Sequence, residues 1–344
     1  MNPIFKQLVR RLSFLFLTLT GSVLLIAIFL FTYESTPEFE LAPVTEKTLE
    51  LWDPQKFILN NDKADELIKK GYLLVAESSK NMGPLAEDPK LRFAGNNLSC
   101  TNCHLNGGTL SGSASWIGIL DRFPQFRGRE NKIGTIEERI NGCMERSMNG
   151  IKLSKNSTQM RAMVAYMDWI SHELPKLNSK VFKGYPAIEI PKIAVDLNQG
   201  KKIYEKECTL CHGTQGKGIR NQNFEDGYLY PPLWGKDSYN DGAGMHRVIT
   251  AAAFIKNNMP YLQANWENPK LSDEEAYHVA GYINSFQRPE KQNKIEDFPN
   301  KKLKPVSTPY GPWTDNFSAE QHKYGPFPPM ISYYQKTFGL TKTK

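Results

Sequence analysis

The sequence predicts a mainly α-helical chain of two tandem domains behind an apolar N-terminal helix. Three observations carry that expectation. The run Cys100-Thr-Asn-Cys103-His104 recurs as Cys208-Thr-Leu-Cys211-His212. Each run is followed by a segment of helical apolar periodicity, TQMRAMVAYMDWISHELP and then LSDEEAYHVAGYINSFQR. Leu12 to Phe31 is an uninterrupted stretch without a charge. At 344 residues, 40% hydrophobic and 23% charged, the chain has enough ordinary globular material for two domains.

The uncharged stretch, LSFLFLTLTGSVLLIAIFLF, follows Lys6, Arg10 and Arg11 and precedes Glu34, Glu38 and Glu40. Its length is enough to span a bilayer. Basic flanks stay cytoplasmic, so the remainder is expected outside the cytoplasmic membrane, in a periplasm. No small-residue cleavage pattern is evident, which favours an anchor over a signal peptide for residues 1–35. The formal charge of +7 is spread along the chain. A nucleic-acid protein would show a basic block instead, so none is expected as a partner. A mildly basic surface suits small anions or an acidic protein.

C-x-x-C-H attaches a c-type haem: two thiols add to its vinyl groups and the histidine ligates iron. A four-thiolate zinc site or two disulfides are the alternatives. Zinc needs no histidine after each pair, and a disulfide across two residues belongs to a thioredoxin-like frame that the pattern lacks. The expectation is two covalently attached haem c groups, bound by Cys100, Cys103, Cys208 and Cys211, with His104 and His212 on iron. Ahead of the second motif, LNQGKKIYEKE reads as an amphipathic helix with Gly200 and Tyr204 on one face. Ser272 is placed to cap the closing helix. Between them, Met259 in Asn257-Asn258-Met259-Pro260 is the expected sixth ligand of the second haem. The resulting organisation is a cytochrome c-like domain over 36–180, a linker over 181–194, a second such domain over 195–290, and a tail over 291–344. The tail's prolines and aromatics suit a segment wrapped on the body.

An internal repeat locates the fifth cysteine. VAYMDWI parallels AGYINSF, pairing Tyr166 with Tyr282 at an offset of 116. The same offset carries Met259 onto Cys143 and Asn257 onto Asn141. The haem histidines are 108 apart, so the second half has a net insertion of eight residues before its distal ligand. An unpaired thiol in an exported chain invites a chemical role. Arg139 and Arg146 would favour its thiolate, the form that binds iron. Met144 and Met148 are the alternative ligands. A thiolate lowers an iron potential and histidine–methionine ligation raises it, which suits a catalytic haem feeding an exit haem. Arg127, Arg129, Arg139 and Arg146 together make a receptor for a small oxyanion. Of the other histidines, only His246 lies where an alternative ligand could arise.

The segments FAGNNLSCTNCH, FRGRENKIGTIEERINGCMERSMNG, and CTLCHG with NNMP carry a family resemblance. Over residues 40–290 the sequence resembles the dihaem thiosulfate dehydrogenases, or tetrathionate reductases, which are related to SoxA-type cytochromes. The resemblance implies a reaction that joins two thiosulfates into tetrathionate with release of two electrons, and that also runs in reverse. It implies His104 and Cys143 as ligands of a catalytic haem, with Arg129, Arg139 and Ser147 around the substrate. His212 and Met259 would then hold a second haem that exchanges electrons with a small cytochrome c or a quinone-linked chain. Some members have a lysine before that methionine; Asn258 stands here, and Lys256 is in another register. A non-catalytic dihaem electron-transfer cytochrome, its arginines docking an acidic partner, is the alternative function.

Overall fold

The computed structural model describes residues 2–32, 58, 64–173 and 184–344, so the expected linker's first residues, 181–183, and most of 36–63 lie outside the described residues. The chain divides into two units, Met1–Leu51 and Trp52–Lys344. In the first, helix α1 (Pro3–Thr32) contains Lys6–Ile28, a stretch long and apolar enough to cross a membrane. Its Thr18, Thr20 and Ser22 hydroxyls donate to carbonyls of the same helix, so those polar groups are satisfied within the span.

The second unit is helical, with two short antiparallel hairpins. Its first half contains α2 (Glu66–Ala76), α3 (Ile136–Met144) and α4 (Thr158–Glu173). The second half repeats the plan with α5 (Leu197–Glu207), α6 (Val248–Asn258) and α7 (Asp273–Ser285). Local chemistry starts several of these helices. Asp65 accepts from Ile68 N at 2.9 Å, and Thr135 with Glu138, then Ser272 with Glu275, close reciprocal capping boxes. A hairpin of β1 (Gln125–Arg127) and β2 (Lys132–Gly134) leads into α3.

In both halves the first helix crosses the closing helix at a glycine: α2 on α4, and α5 on α7. A Cβ at Gly71 would lie 2.0 Å from the Ala162 carbonyl oxygen and 2.7 Å from Tyr166 Cβ. A Cβ at Gly200 would lie 2.3 Å from the His278 carbonyl oxygen and 2.8 Å from Tyr282 Cβ. Tyr166 and Tyr282 therefore occupy equivalent positions, as the repeat predicts. Each tyrosine meets an indole edge-on, Trp116 at 6.4 Å and Trp234 at 6.2 Å. Each indole in turn covers a glycine four residues after a haem-motif histidine, Gly108 (φ +81°) and Gly216 (φ +60°). The left-handed turn and the close indole both demand glycine there.

Two apolar cores result, one rich in methionine around Tyr166 and one around Phe254, Tyr277 and Phe327. Polar contacts join the halves. Asp237 accepts from Asn97, Arg220 and Tyr228, and Asn96 Nδ2 donates to the carbonyls of Ser147 and Ser238. The described part of the linker is a wall, not a free tether: Tyr185, Ile188 and Ile190 pack in the second core. Residues 291–344 pack on both halves. Phe327, Met330 and Tyr334, the last two in α8 (Pro328–Phe338), are buried in the second core, while Phe298 N donates to Arg129 O at 2.8 Å in the first half. Inside the tail, buried Asp315 accepts from His322 at 2.9 Å and Tyr334 at 2.6 Å, and Trp313 stacks on His322.

Asp297 fastens the tail to the first half. Its Oδ2 accepts from Arg129 Nη1 at 2.5 Å and from Tyr310 Oη at 2.6 Å. Burial raises the carboxyl's pKa, but Arg129 and the Tyr310 hydrogen bond outweigh it and hold the group below its ordinary range. A depressed carboxylate contributes stability above its unfolded value of about 3.9 and loses it as pH falls through the folded value. Hydrogen exchange of residues 297–310 should therefore be pH-independent in its protection above about pH 4 and accelerate below. Asp297→Asn should weaken protection at neutral pH and flatten that acid dependence; an unchanged profile would remove Asp297 as the anchor. Separately, Gly200→Ala should cost about 1–3 kcal/mol or more in denaturant unfolding of the haem-loaded protein, because backbone rather than a flexible side chain must yield.

Candidate functional site

All five cysteines are free thiols, so neither pair is a disulfide. The pairs also lie apart: Cys100 packs against the first core and Cys208 against the second. Among the described residues no group of three or more His, Cys, Asp or Glu side chains is arranged to hold a bare metal ion. The four motif thiols are thus not gathered at one place.

The two motif histidines share one device. His104 Nδ1 donates to Ala114 O at 2.8 Å, and His212 Nδ1 donates to Pro231 O at 2.8 Å. Each bond fixes the ring orientation and leaves Nε2 free to bind a metal. Burial pushes the His212 pKa down, which keeps that ring neutral and able to bind a metal. Trp116 packs against the His104 ring at 4.8 Å.

Cys143 lies in the last turn of α3 and faces His104 across a cavity. Leu98, Cys100, Cys103, Trp116, Ile140, Met144, Met148, Met163 and Met167 also line it, with Tyr239 and Met245 supplied by the second half. Arg139 Nη1 reaches the Cys143 sulfur at 2.7 Å from one helical turn earlier. Burial alone would raise the thiol's pKa. Arg139, the neighbouring His104 ring and Arg146 reverse that and bring it down to about 5. Cys100 and Cys103 have no such cation, and burial pushes them up to about 11 and about 12. Of the cysteines lining the cavity, only Cys143 is held as a thiolate by a cation. Met144 and Met148 are buried in the same lining.

The arginines divide by what compensates them. Arg139 is committed to Cys143. Arg127 Nε meets Glu130 at 3.0 Å, and Arg146 Nη2 lies 3.7 Å from the same carboxylate. Both guanidiniums sit over Gly142, where a Cβ would lie 2.3 Å from Arg146 Nη2 and 3.8 Å from Arg127 Nη2. Arg129 is outside the cavity lining: its Nη1 contacts Asp297, Tyr310 and the Gly242 carbonyl. Ser147 lines the cavity, and among the described residues its hydroxyl has no protein partner.

At the second motif, Met259 is the C-cap of α6 and packs in the second core with Cys208 and Trp234. It therefore stands where Cys143 stands, at the end of the helix that precedes the closing helix. Asn258 is buried, donating to Phe254 O and to Gly112 O of the first half. Lys256 Nζ is held by Asp273 at 2.7 Å. His246 is tied to the carbonyls of Asp241 and Asn284, and burial lowers its pKa to about 3.

These residues fit haem c. Each thiol pair is reduced, each adjoining histidine presents one free ring nitrogen, and each faces or adjoins a sulfur from the matching distal position. Cys100, Cys103 and His104 would hold one group, and Cys208, Cys211 and His212 the other.

Several contributors carry no motif. Helix α2 and the tail's Asp297 and Tyr310 were not foreseen. Gly71 was a usable signal for α2, but its aromatic neighbour Tyr72 is one position on, whereas Tyr204 is four on from Gly200.

Comparison with known proteins agrees with this geometry. Residues 92–175 match the family described as SoxA/TsdA, cytochrome c domain, and residues 195–283 match that described as cytochrome C oxidase, cbb3-type, subunit III. The chain is 38% identical over 243 residues to a thiosulfate dehydrogenase of Stutzerimonas stutzeri, covering 71% of this chain and 74% of that one. It is 43% identical over 207 residues to one of Psychrobacter arcticus, covering 60% and 61%. The solved structure of the thiosulfate dehydrogenase TsdBA from Marichromatium purpuratum superposes with a TM-score of 0.59 at 33% identity, covering 66% of this chain and 47% of that one, so this chain spans about half of that protein. The fold is mainly α with two cytochrome c domains, each of which binds one haem c covalently. With its twin haem motifs and these relatives, the chain belongs to the thiosulfate dehydrogenase family.

Proposed function

We propose that this chain interconverts thiosulfate and tetrathionate beside a haem held by His104 and Cys143, and exchanges electrons through a second haem held by His212 and Met259. The observation that carries this reading is the Cys143 sulfur, which faces His104 across one cavity and is held by Arg139 Nη1 at 2.7 Å. An electron wire has no need of a cation-stabilised thiolate at its distal position.

When bound, the two haem groups each take one electron, matching the two released as two thiosulfates join into tetrathionate. The protein's task is to bring two dianions together. Each pair of unit charges at 4 Å costs about 4 kcal/mol at an effective dielectric of 20. Arg139 offsets that repulsion in a partly dry site, and Arg129 orients a sulfonate through the N–H groups that Asp297 leaves free. The Ser147 hydroxyl donates to a sulfonate oxygen. Arg139 also holds the negative charge on Cys143 whether or not the sulfur is bound to metal. Helix α1 anchors the chain, with the two cytochrome domains in the periplasm, and a small cytochrome c or the quinone-linked chain docks at the second haem.

The test is an anaerobic optical titration of the haem-loaded protein. Oxidised protein should be reduced by thiosulfate, or reduced protein oxidised by tetrathionate, and Cys143→Gly should abolish both. No response to either substrate, with normal reduction by chemical donors, would leave an electron-transfer cytochrome. Gly142→Ala should lower turnover about 10- to 100-fold by displacing Arg146, with both haem spectra intact; turnover equal to the parent's would show that Arg146 can shift without consequence.

A further inference from the structure

Haem c carries two propionate carboxylates into the cavity that holds it, and a buried carboxylate needs a counter-charge. Among the described residues, the cavity between His104 and Cys143 is lined by two arginines, Arg122 and Arg139, and by no carboxylate. Arg139 is committed to the Cys143 sulfur at 2.7 Å. Arg122 is the other. Its Nη2 donates to Ser115 O at 3.3 Å, while its Nε is buried and has no hydrogen-bond partner in the protein. Burial and Arg139 push its pKa down, against the pull of its chain neighbour Asp121.

The backbone that places Arg122 also places the motif histidine. Ala114 O accepts from His104 Nδ1, the next carbonyl, Ser115 O, accepts from Arg122, and the next side chain, Trp116, packs against the His104 ring. Three consecutive residues thus fix the imidazole and the guanidinium together. The second half repeats the arrangement with an arginine from another part of the chain. Arg288 Nη1 donates to Leu233 O at 3.4 Å, and its Nε is likewise buried with no protein partner. Leu233 precedes Trp234 as Ser115 precedes Trp116, and these are the two indoles that cover the glycines after the haem motifs. Arg122 comes from the short turn Leu120–Arg122 just after its indole, and Arg288 from beyond the closing helix α7. Two arginines at unrelated sequence positions therefore reach the same backbone site, each with one buried donor left over.

We propose that Arg122 is a cofactor-binding residue that holds a propionate of the first haem from the His104 side of the cavity. A guanidinium matches a carboxylate with fixed N–H donors, and those that Ser115 leaves free include the buried Nε. The pairing satisfies that donor and neutralises the carboxylate. It also leaves Arg139 to the Cys143 sulfur, because the two cations of the cavity then serve different anions. The inference rests on haem attachment at Cys100 and Cys103 and is independent of the thiosulfate reading.

The experiment is a substrate-free spectroelectrochemical titration of both haems in the haem-loaded parent and in Arg122→Gln, Arg122→Met and Arg122→Lys. Removing the cation leaves a carboxylate uncompensated near the iron, and uncompensated negative charge favours the ferric state. Arg122→Gln should therefore lower the first haem's midpoint potential and leave the second haem's at its parental value. Arg122→Lys should recover part of the shift, since a point charge replaces the fork. Arg122→Met, which fills similar space without charge, should repeat the shift of Arg122→Gln and carries the test if that variant does not retain haem. A parental first-haem midpoint in the neutral variants overturns the inference, including the case in which they raise KM for thiosulfate and so assign Arg122 to substrate instead. An equal shift in Arg122→Lys, or one shared by both haems, also overturns it, because a disturbed turn and not a lost charge would then be the cause.

Discussion

The contact between Arg139 and the Cys143 sulfur is the constraint around which the first half is organised. A thiolate cannot be buried without a counter-charge. Helical spacing supplies it from within α3, because residues four apart share a face. That places strict demands on α3. Its start must be fixed, which the Thr135–Glu138 capping box does, or the cation and the sulfur lose register. Its last turn must be open, which Gly142 provides by leaving room for the Arg146 guanidinium. The cost is accumulated positive charge, and that charge explains the neighbours: Glu130 on the hairpin, and Asp297 brought back from the far end of the chain.

Much of this was legible in the sequence because it is local or repeated. The C-x-x-C-H runs, the Ser272 cap and the closing helices are short-range patterns, and all fold as read. The offset between Tyr166 and Tyr282 was readable because each tyrosine faces the same helix crossing at a glycine. Helix α2 escaped notice for a physical reason. Tyr72 is one residue after Gly71 and Tyr204 is four after Gly200, yet positions one and four on lie on the same helix face, so a fixed spacing conceals an equivalent contact. Asp297 and Tyr310 were beyond any local reading. Asp297 and Arg129 are 168 residues apart, and nothing in either segment announces the other.

The tail changes the meaning of Arg129. From sequence it is one of several equivalent arginines near the cysteine. In the fold its charge is already matched, since Asp297 and Tyr310 hold one of its nitrogens. Its remaining donors can still orient a sulfonate, but they no longer bring a net charge. Orientation and charge neutralisation, which a single free arginine would combine, are thereby separated between residues.

Helix α6 also joins the halves. It has eleven residues, so its ends are about 16 Å apart. Arg247 stands at one end and Met259 at the other, in the second core. Asn258, next to Met259, donates back to Gly112 of the first half. The helix is apolar along nearly its whole length and buried on most sides, so it moves as a rigid body if it moves at all. A displacement at the Arg247 end would therefore be carried to Met259 at the other. One packed helix therefore connects the loop fastened at Arg146 and Glu145 to Met259 in the second core, without a path through solvent.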